Sequence, residues 1–386
     1  MRLWTVLRQT GLWCFCLLVG VSAAESVAKA DVPLRGFGQI GYTAQDTDDN
    51  SAKSNGNNFY NGGLDLFLST AISKKVNFLS EVVFEMNSSN ETVTDIERVV
   101  VQYVYSPWLK IGAGRFHTAL GYWNDNFHHG SWLHASIERP LAYRFEDDGG
   151  VLPTHAEGLE IRGEGDLGPG QLGYIVNIAN GRGPKVDPPQ VVGDADKSKA
   201  ANVLLYYNLG HLRFGGVYYA DTLPGCVYDS TTYAGNLSGI DNCAYTGPNA
   251  IAQRARGTEK IFGGHLVYNS DEIEFLMEYF VVAHEYSSTT GEVAAKVNTG
   301  YVQVGYLLGD WTPYYRYDTL EVPEDKTDAY TLLEGKTTAH TAGVRYELDE
   351  TSAVKFEYHN KALVHASAAL GTTKLTSVTA NWSFTF

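Results

Sequence analysis

The chain has 386 residues, rich in Gly (40), Tyr (25) and Phe (16) and poor in Met (3) and Cys (4). Its formal charge of −15 argues against nucleic acid as a partner. No stretch reaches the roughly 20 apolar residues of a membrane helix, which excludes a helical membrane protein.

The first residues read as a secretory signal. Arg2 and Arg8 supply a positive start, Gly11 to Val21 is a short apolar run, and small residues then allow cleavage after Ala24 or as late as Ala30. Cys14 and Cys16 lack the preceding Leu-small-small pattern that lipidation would require. Residues 1–24 are therefore expected to be removed, leaving 27 Lys and Arg against 44 Asp and Glu, a charge of −17. Residues 31–386 are expected to form one domain. A chain of that size exceeds the usual single core, but a barrel escapes this limit because it is a shell.

The dominant pattern after the signal is period-two alternation. In 76–85, Val76, Phe78, Val82 and Phe84 point one way, and Asn77, Glu81 and Glu85 the other. Ile273, Phe275, Met277 and Tyr279 stand opposite Glu274 and Glu278; Val354, Phe356 and Tyr358 stand opposite Lys355, Glu357 and His359. Charges confined to one face, strand after strand, suit a wall with an apolar outside and a wet inside. Sixteen such segments are expected, near 35–45, 58–72, 76–85, 93–105, 109–116, 156–163, 171–179, 201–209, 212–220, 259–268, 272–284, 298–308, 311–320, 338–347, 352–360 and 372–386. Tight turns (73–75, 106–108, 210–211, 269–271, 309–310) alternate with long connections (46–57, 117–155, 180–200, 221–258, 321–337). The expected fold is all-β, a transmembrane antiparallel β-barrel of about 16 strands, with both termini on one side.

At the end of the chain, Val378, Ala380, Trp382, Phe384 and Phe386 alternate with Thr379, Asn381, Ser383 and Thr385. This resembles the C-terminal signature of Gram-negative outer-membrane proteins, which implies that Phe386 is read by the barrel assembly machinery.

Segment 117–155 is the most unusual connection, dense in aromatics and holding five of the eleven His: His117, His128, His129, His134 and His155. Gly112-Ala113-Gly114-Arg115-Phe116-His117-Thr118, then Gly121, Arg139-Pro140, Gly149-Gly150 and Gly158, resemble the strand-and-loop entry of the phosphate-selective (O/P-type) porin superfamily. The resemblance implies a 16-stranded porin whose long third loop folds into the lumen. The lysine cluster used by such phosphate channels is not seen, so an anion channel stands only as an alternative. The His spacing matches no metal motif such as HExxH, and no metal or other cofactor is assigned.

Glu146, Asp147 and Asp148 are the candidate acidic side of a pore constriction. Arg115, Arg98, Arg162, Arg213, Arg316 and Arg345 are its candidate basic side, with Lys355 also on an inferred lumen face. Cys226 and Cys243, seventeen apart in one connection of an exported chain, are expected to form a disulfide. GxSxG, HExxH and P-loop patterns do not occur, and no enzyme is expected. The expected function is a water-filled outer-membrane channel for small hydrophilic solutes or ions, weakly cation-preferring. The expected partners are those solutes, outer-membrane lipid and the assembly machinery, with trimer and monomer both left open. A barrel acting as a sheath or scaffold for a partner protein is the other reading.

Overall fold

A computed structural model describes residues 34–386 except 48–56, 87–90, 128–129, 145–149, 183–196, 224–225, 228–252, 255–256, 289–290, 324–334 and 366–370. The signal segment, His128, His129, Glu146, Asp147, Asp148 and the Cys226–Cys243 side-chain pairing lie outside the described residues.

Sixteen strands form the wall: β1 Leu34–Thr47, β2 Asn57–Ala71, β3 Val76–Met86, β4 Thr92–Ser106, β5 Leu109–His117, β6 His155–Leu167, β7 Gly170–Ala179, β8 Ala200–Leu209, β9 Leu212–Leu223, β10 Gly257–Asn269, β11 Ile273–Ser288, β12 Gly291–Tyr306, β13 Trp311–Val322, β14 Gly335–Asp349, β15 Ser352–His365 and β16 Thr372–Thr385. Each pairs antiparallel with its chain neighbour, and β1 pairs with β16 from Phe37↔Thr385 to Thr47↔Leu375, so the barrel is closed. Closure removes every free sheet edge, which is what lipid demands of a β-structure. Phe386 extends the seam, exchanging backbone bonds of 2.9 and 3.0 Å with Gly36. Tight turns at β6–β7, β8–β9 and β12–β13 contain Gly168, Gly210 and Gly309 at φ near +60°, which costs a residue without Cβ little.

Two connections differ from expectation. The expected gap 285–297 is mostly strand: β11 and β12 keep pairing to Ser288↔Gly291, because the ladder continues after the hydrophobic alternation fades. The expected connection 221–258 contains a two-residue ladder, Cys226–Val227 with Gln253–Arg254.

The faces are those of a membrane barrel. Phe262, Met277, Tyr279, Val302, Phe356, Tyr358, Val378 and Trp382 are exposed, while Glu278, Gln303, Arg316, Asp318, Lys355, Glu357 and Asn381 between them are buried. Apolar outside and polar inside inverts the soluble pattern, and the location that follows from this exterior is an outer membrane. Among the described residues, an apolar cluster on the buried face joins Leu120, Trp123, Leu141, Tyr143 and Leu152 of the β5–β6 connection to Leu204, Ile261, Phe280, Val297 and Leu320 of the wall.

Candidate functional site

The β5–β6 connection, residues 118–154, is closed at its neck. His117 and His155 are direct ladder partners, the Thr118 N–H donates to the Thr154 carbonyl at 2.9 Å, and Asn124 Nδ2 donates to the carbonyls of Thr118 and Thr154, both at 2.8 Å. A short helix, α1 Tyr122–Asn126, follows Gly121. Gly121 has φ +93°, and a Cβ there would collide with the Glu278 carboxylate.

Charges on the buried face of β11 to β15 hold the backbone of this segment. Three carboxylates accept from its N–H groups: Glu278 from Tyr122 and Trp123 (2.7 and 2.8 Å), Glu357 from Ile137 and Glu138 (2.7 and 3.1 Å), and Asp318 from Leu141 (3.0 Å). Three cations donate to its carbonyls: Arg316 to Glu138 and Arg139 (2.8 and 3.1 Å), Arg345 to Trp132 and His134, and Lys355 to Ser131, His134 and Ser136. Irregular backbone removed from water must find such partners, and charged partners bind it most strongly. Glu278 also accepts from Tyr301 at 2.8 Å, with the Tyr143 hydroxyl 2.8 Å from its other oxygen.

The sequence-predicted arginines therefore divide. Arg316 and Arg345 are buried, pair with Asp318 and Glu347, and grip the segment. Their guanidiniums donate to the segment's carbonyls. Arg213 sits 3.7 Å from the Tyr206 ring centre and 5.1 Å from that of Tyr122, tying α1 to the wall by cation–π contact. Arg115 is nearly buried, 3.7 Å from Glu157. Arg98 and Arg162 remain partly open, their side chains 22% and 34% exposed.

These two arginines line a cavity of about 440 Å³ between α1 and the β2–β6 wall. Ser69, Thr70, Asn77, Gln102, His117, Asp125 and Glu160 contribute the rest of its polar lining. Arg98 Nε lies 2.5 Å from Glu81, and Arg162 is bonded to Glu160 at 2.7 Å and to Asp125 at 3.1 Å. The lining thus alternates in sign and is close to neutral.

Three features escape sequence reading. The carboxylate anchors Glu278, Asp318 and Glu357 are one. Glu97 is another, placed by a bulge in β4. The register passes from Glu81↔Arg98 to Val82↔Ile96, so Glu97 is an extra residue and turns inward beside Arg98. The third is the grouping that results: Glu97, His117 and His155, whose ligand-type atoms all lie within 4.8 Å of one another. Alternation broken at Asp95-Ile96-Glu97-Arg98 is the only sequence signal for it.

Outer-membrane channels of known structure share this fold. Over 95% of this chain and all of the other, the structure superposes on the outer membrane channel DcaP of Acinetobacter baumannii with a TM-score of 0.60 at 13% identity. An anion-selective porin from Comamonas acidovorans gives 0.58 at 12% identity, covering 93% of this chain and 100% of that one. OmpT of Vibrio cholerae, an outer-membrane protein, gives 0.56 at 10%, with 95% and 100% covered. At these identities the likeness is one of fold. No family model matches the sequence, and no curated protein matches it.

Proposed function

We propose that the protein is an outer-membrane porin, a water-filled channel for small hydrophilic solutes or ions, in which segment 118–154 lies inside the barrel and narrows it. The observation that carries this reading is the polar cavity beside the segment, lined by Arg98, Arg162, Asp125 and Glu160. Its size suits a small-molecule solute and not a folded partner, which favours a channel over a sheath. Paired charges of both signs on its walls favour hydrated polar solutes over apolar ones.

The ion preference follows from what those pairs leave over. With Arg98 matched by Glu81, and Arg162 by Glu160 and Asp125, the cavity contributes little net field. The charge of −17 and the trio Glu146, Asp147 and Asp148 then bias the channel modestly toward cations. The alternative is an anion channel of the phosphate-selective type. Lys355 does not serve it, because its ammonium is buried against three carbonyls. Trimeric assembly is part of the proposal; the in-vitro folded Vibrio cholerae protein is described in a trimer form.

The test is single-channel conductance of the purified protein in planar bilayers. Discrete ohmic steps are expected, with a reversal potential in asymmetric salt displaced modestly in the cation direction. A protein that inserts as a heat-modifiable barrel and never conducts would overturn the channel reading.

A further inference from the structure

We infer that Glu97, His117 and His155 form a binding site for a divalent transition-metal ion of the zinc type, at the neck of segment 118–154. The three come from three adjacent strands: Glu97 from the β4 bulge, His117 from the last position of β5 and His155 from the first of β6. They are 2%, 7% and 8% exposed. The imidazole rings of His117 and His155 meet edge-on with centres 5.7 Å apart, and Glu97 Oε2 touches His155 Nε2.

The donor set is specific. Two imidazole nitrogens and one carboxylate oxygen make up the protein ligands of many open zinc sites, and the same set excludes a calcium or magnesium preference, which calls for oxygen ligands. Ligand atoms around a tetrahedral zinc with bonds of about 2.1 Å lie about 3.4 Å apart. The cluster, with all its atoms inside 4.8 Å, reaches that spacing by small side-chain rotations. The surroundings have the features of a supporting shell. His155 turns Nε2 to the cluster while Nδ1 lies 3.2 Å from Thr154 Oγ1, which fixes the ring's orientation. Glu81, its Oε2 3.8 Å from His117 Nε2, is placed to complete a fourth position or to bond a metal-bound water. His117 also lines the polar cavity, which supplies an entry path.

The consequence is mechanical. His117 and His155 bracket the segment at its two ends, so a bound ion ties both ends to β4 and braces the neck. The same ion, at the edge of the cavity, adds positive charge beside Arg98.

The experiment titrates Zn²⁺ into the untagged, detergent-folded barrel by calorimetry, with Co²⁺ as a spectroscopic substitute. One saturable site is expected, giving visible Co²⁺ bands of nitrogen and oxygen ligation without the thiolate charge-transfer band that Cys226 or Cys243 would produce. His117→Ala and His155→Ala should each remove the binding. Thr154→Val, which leaves the ligands in place, should weaken it about 10-fold. His134→Ala, which alters a histidine of the same segment outside the cluster, should leave it unchanged. Heat-modifiable migration shows for each variant that the barrel has folded. Absence of saturable binding in the folded wild type overturns the site, as does binding that survives in a folded His117→Ala/His155→Ala variant. These readouts do not involve conductance, so failure here leaves the channel reading standing, and the reverse also holds.

Discussion

Lys355 Nζ lies 2.7 Å from the carbonyl oxygen of His134 and 3.0 Å from that of Ser136, with the Ser131 carbonyl as its third acceptor. An ammonium has three protons to donate, and each is directed at the backbone of one connection. The residue is 0% exposed, so its charge is compensated by those carbonyls and by nearby carboxylates in place of water.

Lys355→Met keeps the length of the side chain and removes all three donors. Each carbonyl left without a partner costs about 1–3 kcal/mol, and the total loss is expected at about 3 kcal/mol after local relaxation. The urea midpoint of the barrel in lipid vesicles should fall, and a protease added to the folded variant should cut within segment 118–154. An unchanged midpoint together with an uncut segment would show that Lys355 is not an anchor.

His134 makes the hold on the segment sensitive to acid. Burial first, and then the positive charges of Lys355, Arg316, Arg139 and Arg345, keep its imidazole well below the usual histidine range. Its ring packs 4.8 Å from Trp123, with Nδ1 3.2 Å from Ser136 Oγ. A released His134 takes up a proton near pH 6.5, whereas the packed one does not, so acid favours release. The stabilisation is therefore complete above about pH 6.5 and declines as pH falls from there toward the depressed folded value. Proteolysis of the segment should accelerate between pH 6.5 and 5 in the wild type. In His134→Phe, which keeps the aromatic contacts, that acceleration should be much reduced. Equal acceleration in both would assign the effect to the wall carboxylates.

The strands were readable because a lipid-facing wall imposes the same two-residue rhythm everywhere. Glu278 stood on the correct face for that reason, and so did Phe356 and Trp382. The role of Glu278 was not readable. Its donors Tyr122, Trp123, Tyr143 and Tyr301 come from positions 23 to 156 residues away, and only the closed barrel brings them together. Glu97 was hidden for the opposite reason. A bulge breaks the rhythm locally, so period-two counting from Val99 or Val101 places Glu97 on the lipid side. The same rhythm places Arg316 and Arg345 on the inward face, but pattern alone does not show that they hold the backbone of segment 118–154.

The Cys226–Cys243 disulfide is expected to form in the oxidising exterior, closing a loop whose restraint is worth about 3 kcal/mol in the chain-entropy model. The backbone of Cys226 pairs with Arg254, so this connection already folds back on itself near the wall. Maleimide should label neither cysteine in intact unreduced cells and both after reduction. Labelling of both without reductant would show that the bond is absent.

Selectivity follows from removing one charge of a pair at a time. Arg162→Gln leaves Asp125 and Glu160 facing the cavity without their shared cation, and Arg98→Gln does the same to Glu81. Both variants should move the reversal potential further toward cations, and Arg162→Gln should move it more, because two carboxylates are released. Neutralising Glu146, Asp147 and Asp148 together should move it toward anions. Charges on outer connections are screened beyond about 8 Å at physiological salt, so all these shifts should shrink as salt rises, least for the semi-buried Arg162. A wild type that strongly prefers anions, with Arg98→Gln and Arg162→Gln each abolishing the preference, would reverse the assignment. The arginines would then set the field, and the resemblance to phosphate-selective porins would extend to function.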